Sequence, residues 1–390
     1  MKIKKIAIIV LCLVLVLGAM SACGKPKTET ADNSQETANT PDTSGTPDDS
    51  ARPAETVGDG TVYELSLSTH DPVTSNKTIY FQQWADELEA ASNGRIKITV
   101  YSGGALASGT AALDALRTQV CDIAWIYPQY FSGQFPLSEV ISQPIGVSSV
   151  PQGVQVLYDL YEKYPELQEE VSEFVPLMIH TNPTNKICCT EAHPVYSVND
   201  LKGLTYRASA GTPSDLLLAW GATPIQMAPG DIYQAVQKGT VDGYVFDWSG
   251  MVSFGLQEVT KYLVTYPVYC GPYYLMMNRD SFDALPEDLQ KLILDHSGEE
   301  VSMGLAWVYE YDENRGYNAC IDAGCEPIDL TEEATTEFAS FNEGLIDNWK
   351  EANKDRIDVD AFVDDAKAFA EQHFIDRETI LNTVADMNLG

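Results

Sequence analysis

The chain has 390 residues and carries 57 acidic side chains against 24 basic ones, which gives a formal net charge of −33 at pH 7. So negative a surface argues against binding to nucleic acid, because phosphate contacts need clustered lysine and arginine. The length and an apolar content of 44% are sufficient for two domains, each with its own core.

The N-terminus has the pattern of a bacterial export signal. Residues 1–22 begin with several lysines, and the apolar run from Ile6 to Leu17 is too short to span a bilayer comfortably. Small residues directly before Cys23 are typical of a lipobox. This predicts cleavage before Cys23, lipid on its sulfur, and a protein held on the outer face of a membrane. A plain signal peptide cut near the same place, or a single anchor helix, stays open as an alternative.

The next segment, residues 23–60, is rich in Thr, Ser, Pro, Asp and Glu and has almost no large apolar side chains. Such a composition cannot bury a core, so we predict a disordered tether between the lipid and the folded part of the protein.

Two strands early in the folded part end in side chains that could face a ligand. The alternating pattern from Tyr63 to Thr69 predicts a strand that is followed by His70, and Val120 to Tyr127 predicts one that contains Trp125 near its end. Ligands of open α/β sheets lie beyond the carboxyl ends of strands. We therefore predict His70, Trp125 and Tyr127 as ligand contacts. The alternatives are a hydrogen-bonded loop histidine and ordinary core aromatics.

The stretch from Leu201 to Trp248 has the pattern of a βαβαβ unit. Its strands are predicted at Thr205 to Arg207, Pro224 to Met227 and Val241 to Trp248. The helices between them are ended by glycines, and two crossover helices imply parallel strands.

Polar and aromatic side chains stand at the ends of these strands. Arg207 ends the first one, and its planar guanidinium matches a carboxylate in two parallel hydrogen bonds. Phe246, Asp247 and Trp248 end the third strand and are predicted to face the same cleft. From spacing alone, Arg207 could equally be a surface ion-pair partner.

Five segments carry a resemblance to a known family. The segments NGRIKITVYSGGALASG, LKGLTYR, AWGATPIQM, DIYQAVQKGTVDG and YYLMMNRDSFDALPEDLQKLI resemble the solute-binding proteins of TRAP (tripartite ATP-independent periplasmic) transporters. The resemblance implies that Arg207 pairs with the carboxylate of a small organic acid. It also implies hinge closure around that ligand and delivery to the membrane permease subunits of the transporter.

The resemblance further implies an α/β, two-lobed, periplasmic-binding-protein-like fold with crossing strands and a long bridging helix. Lobe I is expected to comprise 61–180 and 270–320, and lobe II 181–269 and 321–390. The bridging helix is predicted to run from Pro286 to about residue 323.

The ligand is predicted from a departure within the resemblance. Many dicarboxylate-binding and sialic-acid-binding members have Glu-Asn-Pro where this chain has Val245, Phe246 and Asp247, which are followed by Trp248. Together with Trp125 and Tyr127, this indicates a pocket for a flat or apolar tail and hence a monocarboxylate, aromatic or a branched 2-oxo acid. A C4-dicarboxylate-binding TRAP subunit and the binding protein of an ABC-type importer remain alternatives.

The sequence carries no motif for catalysis or for cofactor binding. G-x-S-x-G, H-E-x-x-H, a phosphate-binding glycine loop and a dinucleotide fingerprint are all missing, and no Cys/His spacing fits zinc. We therefore predict a protein that is not an enzyme and that needs no metal or cofactor. A lipoprotein enzyme on the same scaffold is the remaining alternative. Cys320 and Cys325 straddle a helix end and could pair, whereas buried free thiols are as compatible with the sequence.

Overall fold

The computed structural model describes residues 60–387 of the chain. The predicted signal peptide, the predicted lipidation site Cys23 and the tether up to residue 59 lie outside the described residues.

Within that range the chain forms two mixed sheets covered by helices. The strands are β1 Tyr63–Ser68, β2 Ile96–Tyr101, β3 Ile123–Ile126, β4 Phe174–Thr181, β5 Lys186–Cys189, β6 Thr205–Ala208, β7 Thr223–Gln226, β8 Gly243–Phe246, β9 Tyr262–Val264, β10 Pro272–Asn278 and β11 Glu326–Ile328. The helices are α1 Asn76–Ala91, α2 Ala112–Arg117, α3 Val150–Lys163, α4 Pro165–Glu170, α5 Thr212–Ala219, α6 Ile232–Gln237, α7 Trp248–Ser253, α8 Arg279–Asp283, α9 Glu287–Asp295, α10 Glu299–Asp322, α11 Glu332–Ala339, α12 Asn342–Asn353, α13 Val359–Gln372 and α14 Arg377–Ala385.

Each of the two sheets contains strands from distant parts of the chain. The first has the order β2-β1-β3-β10-β4 and the second the order β11-β9-β5-β8-β6-β7. Strand β10 returns from the second sheet and lies antiparallel between β3 and β4. The chain therefore crosses between the sheets after β4 and again before β10, and the α/β class with crossing strands is confirmed.

The βαβαβ prediction is confirmed by the strand pairing. Strand β6 lies parallel to β7 on one side and to β8 on the other. All residues of β3 and of β8 are buried, because both faces of these inner strands are covered. The carboxyl ends of β6 and β8 consequently meet at one edge of the second sheet, which positions Arg207 beside Phe246.

The long bridging helix is shorter than predicted. The segment from residue 286 forms two helices, α9 and α10, and the chain breaks between them at Gly298, which has φ 92. That conformation is accessible to glycine and lies directly before the first residue of α10, and the Gly298 N–H donates to the carbonyl of Leu177 over 2.7 Å. Helix α10 still spans 24 residues and packs on α7 as well as on α3.

The C-terminal helices contribute to the cores of both sheets, while the assignment of 321–390 to lobe II stays a prediction. Phe338 of α11 lies in the core beneath the second sheet. Phe362 and Val363 of α13 lie instead in a core of the first sheet, where they join Leu157 of α3. The apolar stripe of α13 meets the facing stripe of α3, so packing rather than chain order decides where this helix belongs.

No helix within residues 60–387 has the length and apolar character needed to cross a membrane. The six cysteines in that range are free and buried, so Cys320 and Cys325 are thiols in this structure.

Candidate functional site

Arg207 is buried at the edge where the two sheets face each other. Arg207 is only 1% exposed, although its side chain carries a charge. The Nε and Nη2 groups donate to the carbonyl of Met227 over 3.3 and 3.0 Å, and Nη1 donates to the carbonyl of Val245 over 3.3 Å. Nη2 also donates to the hydroxyl of Tyr130, 3.3 Å away on the first-sheet side. The backbone of the second sheet thus fixes the guanidinium and aims it across the gap.

The charge of Arg207 has no acidic partner among the residues that the structure describes. Its hydrogen bonds end on neutral oxygens, and the ring of Phe246 lies 5.2 Å from the guanidinium carbon. Burial of a cation is costly unless a counter-charge compensates it. The site is therefore suited to an anion that brings the missing charge.

A ladder of stacked rings forms the wall on the first-sheet side. His70 stacks on Trp125 with ring centroids 4.7 Å apart, and Trp125 stacks on Tyr273 at 4.8 Å. Tyr273 stacks in turn on Tyr127 at 4.3 Å. Tyr130 stands edge-on to Tyr127 at 4.9 Å and connects the ladder to Arg207. The structure thus places His70, Trp125 and Tyr127 in one aromatic cluster, as expected for side chains at neighbouring strand ends.

His70 is a neutral ring with one unused nitrogen. Burial lowers the pKa of His70, and the cations Lys77 and Arg207 lower it further, whereas Asp71 acts in the opposite direction. The Nδ1 atom is buried and has no hydrogen-bond partner. A buried polar atom without a partner keeps hydrogen-bonding capacity that a bound molecule could use.

His180 holds Trp125 of the aromatic ladder through a side-chain hydrogen bond. It accepts a hydrogen bond at Nε2 from Nε1 of Trp125 over 3.0 Å, and its Nδ1 lies 2.9 Å from the carbonyl of Thr181. Burial lowers the pKa of His180 to about 4. The proton of the neutral ring therefore sits on Nδ1, which leaves Nε2 free to hold the indole of Trp125.

His180 and Tyr273 could not be predicted as neighbours of the site from sequence, because they come from the distant strands β4 and β10. These strands pair in antiparallel register with Tyr273 opposite His180. No local pattern brings the two strands together.

Lys77 is a further buried residue near the aromatic ladder that was not predicted from the sequence. It lies in α1 and is 2% exposed. Its Nζ is 3.5 Å from Asp71 and 3.6 Å from Asp312, and it donates to the hydroxyl of Ser253 in α7 over 3.3 Å. Burial lowers the pKa of Lys77, but the two carboxylates outweigh burial and raise it above its ordinary value. A lysine near the start of an amphipathic helix would be predicted from the sequence to be exposed to solvent.

Two predicted ligand contacts lie in other surroundings. Asp247 is the N-cap of α7: its carboxylate accepts from the Gly250 N–H over 2.7 Å and from Nδ2 of Asn182 over 3.0 Å. The ring of Trp248 packs on Tyr317, with centroids 4.6 Å apart. Trp248 also lines a cavity of about 560 Å³ whose lining does not include Arg207.

The two sides of the site are in contact with each other. The Ala210 N–H donates to the carbonyl of Gln129 over 3.1 Å, and Nε2 of Gln143 donates to the hydroxyl of Thr212 over 3.0 Å. With the bond from Arg207 to Tyr130, these contacts hold the edges of the two sheets against each other. The site is thus enclosed on both sides.

Comparison with known proteins gives the same architecture. Residues 67–353 match the profile of DctP, bacterial extracellular solute-binding protein, family 7. A TRAP solute-binding protein from an unidentified marine microbe, specific for aromatic acid ligands and crystallised with metahydroxyphenylacetate, is 25% identical, with a TM-score of 0.75 over 80% of this chain and 99% of its own.

Two further proteins are similar over most of their length. A TRAP solute-binding protein of Rhodoferax ferrireducens with copurified benzoate is 24% identical, with a TM-score of 0.75 over 80% of this chain and 98% of its own. A monocarboxylate 2-oxoacid-binding periplasmic protein of Nostoc is 23% identical over 74% of this chain and 83% of its own.

The profile match covers most of the chain, and the neighbouring structures carry the same two-sheet fold. This fold and family are those of transport proteins that bind a solute, and not of enzymes. The chain belongs to family 7 of the bacterial extracellular solute-binding proteins, the DctP family of TRAP transporters.

Proposed function

We propose that this protein captures a small monocarboxylate between its two sheets, outside the cytoplasm, through a pair between Arg207 and the ligand carboxylate. The observation that carries the proposal is a guanidinium that is 1% exposed and that has only neutral oxygens as partners in the described part of the chain. A carboxylate is planar and has two acceptor oxygens, which match the fork of an arginine.

The remaining wall favours a flat ligand tail. The ladder of His70, Trp125, Tyr273 and Tyr127 offers π-faces and edges, and Phe246 covers Arg207 from the other side. An aromatic acid or a branched 2-oxo acid would bury its apolar part against these rings. The unpartnered Nδ1 of His70 would serve a hydroxyl or oxo group of the ligand.

A dicarboxylate has less support from the site. The other buried cation near the ladder, Lys77, is already neutralised by Asp71 and Asp312. The carboxylate of Asp247 would repel a second anionic group at the end of β8. The aromatic acids bound by two of the structural relatives agree with one carboxylate and an apolar body.

The protein would release its ligand to the membrane permease subunits of a TRAP transporter. The predicted lipid on Cys23 and the predicted tether would keep it near those subunits while the folded part moves. Cleavage before Cys23 and lipidation can be tested by mass spectrometry of the membrane-bound protein, which should show a diacylated or triacylated N-terminal cysteine.

The test of the binding proposal is calorimetric titration of the purified protein with benzoate, 3-hydroxybenzoate, mandelate, branched 2-oxo acids and C4-dicarboxylates. We expect a monocarboxylate to bind, and Arg207→Gln to weaken its binding at least 100-fold, because removal of one partner of a buried charge-assisted pair costs about 3–5 kcal/mol. Arg279→Gln removes an arginine that is bonded to the carbonyls of Ser172 and Phe174 and serves as the matched control.

Binding of a monocarboxylate with equal affinity by wild type and Arg207→Gln would refute the pair. Tighter binding of a C4-dicarboxylate than of any monocarboxylate would refute the assignment of ligand class.

A further inference from the structure

Two of the buried thiols lie beside each other at the end of α10. Cys320 is in the last turn of that helix, and Cys325 is the residue directly before β11. The backbone turns back between them, so that the Cys325 N–H donates to the carbonyl of Cys320 over 2.9 Å. Their side chains are hydrogen-bonded to each other. The fold thus brings together two sulfur atoms that residues 321–324 separate in the chain.

This arrangement meets the geometric requirement of a disulfide. Such a bond joins residues whose Cα atoms lie about 4.4–6.8 Å apart and whose Cβ atoms point towards each other. A backbone hydrogen bond of 2.9 Å between Cys320 and Cys325 keeps their Cα atoms within that range. Both side chains also enter the same apolar core, which they share with Tyr244 and Leu263. The two sulfur atoms can therefore be joined without a large movement of the backbone.

The surroundings of Cys325 favour its thiolate. The hydrogen bond with Cys320 lowers the pKa of Cys325 and the charge of Lys261 lowers it further, whereas burial acts in the opposite direction. The same hydrogen bond and burial raise the pKa of Cys320. Burial also raises the pKa of the four other cysteines within residues 60–387, which are Cys121, Cys188, Cys189 and Cys270. Because the thiolate is the reactive form, Cys325 is the thiol of this range that is best suited to attack a disulfide.

We propose that Cys320 and Cys325 are a reversible redox pair, which a small-molecule disulfide of the glutathione type oxidises outside the cytoplasm. The Cys325 thiolate attacks one sulfur atom of that molecule, which forms a mixed disulfide and releases one thiolate. Cys320 gives its proton to the released thiolate, and its sulfur then attacks Sγ of Cys325. The internal disulfide forms and the second small thiolate leaves. In total, two protein thiols are oxidised and one small disulfide is reduced to two thiols.

The disulfide would fix one end of α10. Residues 321–324 are exposed to solvent, so local opening of this turn gives an oxidant access to Cys325. Strand β11 follows the turn and pairs with β9 of the second sheet. At the other end of α10, Gly298 is hydrogen-bonded to Leu177 in β4 of the first sheet. Oxidation would thus fasten the second-sheet end of a helix that contacts both sheets.

The test is equilibration of the purified protein with oxidised or with reduced glutathione, followed by alkylation of free thiols in denaturant and by peptide mapping. A protease that cuts before aspartate cleaves at Asp322, between the two cysteines, so a disulfide keeps the two peptides joined until it is reduced. We expect joined peptides in the oxidised sample alone. Cys320→Ala should instead retain glutathione on Cys325, whereas Cys188→Ala, a change in the same core, should keep the disulfide.

A second measurement is urea unfolding of the oxidised and the reduced protein after removal of glutathione. The short closed loop should raise the ratio of folded to unfolded protein roughly 10- to 40-fold, and the double variant Cys320→Ala, Cys325→Ala should unfold equally after both treatments. Complete alkylation of Cys320 and Cys325 after oxidation would overturn the proposal, as would a disulfide from either of them to Cys188. Because no organic acid is present, these outcomes are independent of whether Arg207 binds a carboxylate.

Discussion

His180 gives the protein a defined dependence of stability on pH. Burial lowers the pKa of His180 to about 4, whereas a histidine in the unfolded chain titrates near 6.5. As the pH falls from about 6.5 towards 4, His180 becomes protonated in the unfolded chain but stays neutral in the folded protein. The free energy of unfolding therefore decreases over this window, and the stabilisation by neutral His180 is complete above it.

The magnitude follows from the difference between the two pKa values. Each pKa unit corresponds to about 1.4 kcal/mol, so His180 alone should remove roughly 2 kcal/mol from the free energy of unfolding between pH 7 and pH 4.5. Protonation would also place an N–H at Nε2, directly opposite the donating Nε1 of Trp125. The pH effect is thus tied to the aromatic ladder.

The measurement is urea unfolding at a series of pH values for the wild type and for His180→Gln, whose amide oxygen can accept from Trp125. The wild type should lose about 2 kcal/mol more than the variant between pH 7 and pH 4.5. The difference between the two proteins cancels other groups, including Glu139 and Glu310, whose raised pKa values act in the opposite direction. The same pH slope in both proteins would show that His180 is not buried in its neutral form.

Two further changes test the packing around the site by the same unfolding assay. Lys77→Met should lower the free energy of unfolding by about 3–5 kcal/mol because it leaves Asp71 buried without its lysine, although Asp312 keeps its ion pair with Arg315. Lys97→Met, which removes an exposed lysine, should lower it by at most about 1 kcal/mol. Equal losses for the two variants would contradict the buried pair. Gly271→Ala should lower the free energy of unfolding by about 1–3 kcal/mol, because the added Cβ would lie 2.6 Å from the ring of Tyr127. An unchanged free energy of unfolding would show that the segment before β10 can move away.

The βαβαβ unit and Arg207 could be predicted because their signals are local. Glycines end the helices, and a short strand before each helix fixes the parallel order, so the end of β6 and the end of β8 had to meet. The residues that complete the aromatic ladder could not be found in this way. Tyr273 and His180 become neighbours only through the antiparallel pairing of β10 with β4, which is decided by tertiary packing.

Asp247 shows a different kind of difficulty. Its position at the end of a strand suggests a ligand contact, but the same position is the start of α7, and a short acidic side chain there is a strong helix cap. An Asp followed by Ser and Gly within three residues is the signal that favours the cap. Position at a strand end therefore identifies the neighbourhood of a site, while the hydrogen-bonding capacity of each side chain decides whether it is free to bind.

The same distinction supports the proposed role of Arg207 as the carboxylate contact. An arginine has five N–H donors, and Arg207 uses four hydrogen bonds, three of them to backbone carbonyls that hold it in place. The fourth goes to the hydroxyl of Tyr130, which can rotate, and one N–H of Nη1 has no partner assigned to it. Nη1 and Nη2 can thus each offer one donor to a ligand without loss of the backbone bonds. A lysine has three donors on a single nitrogen and could not satisfy both sets of partners from that position.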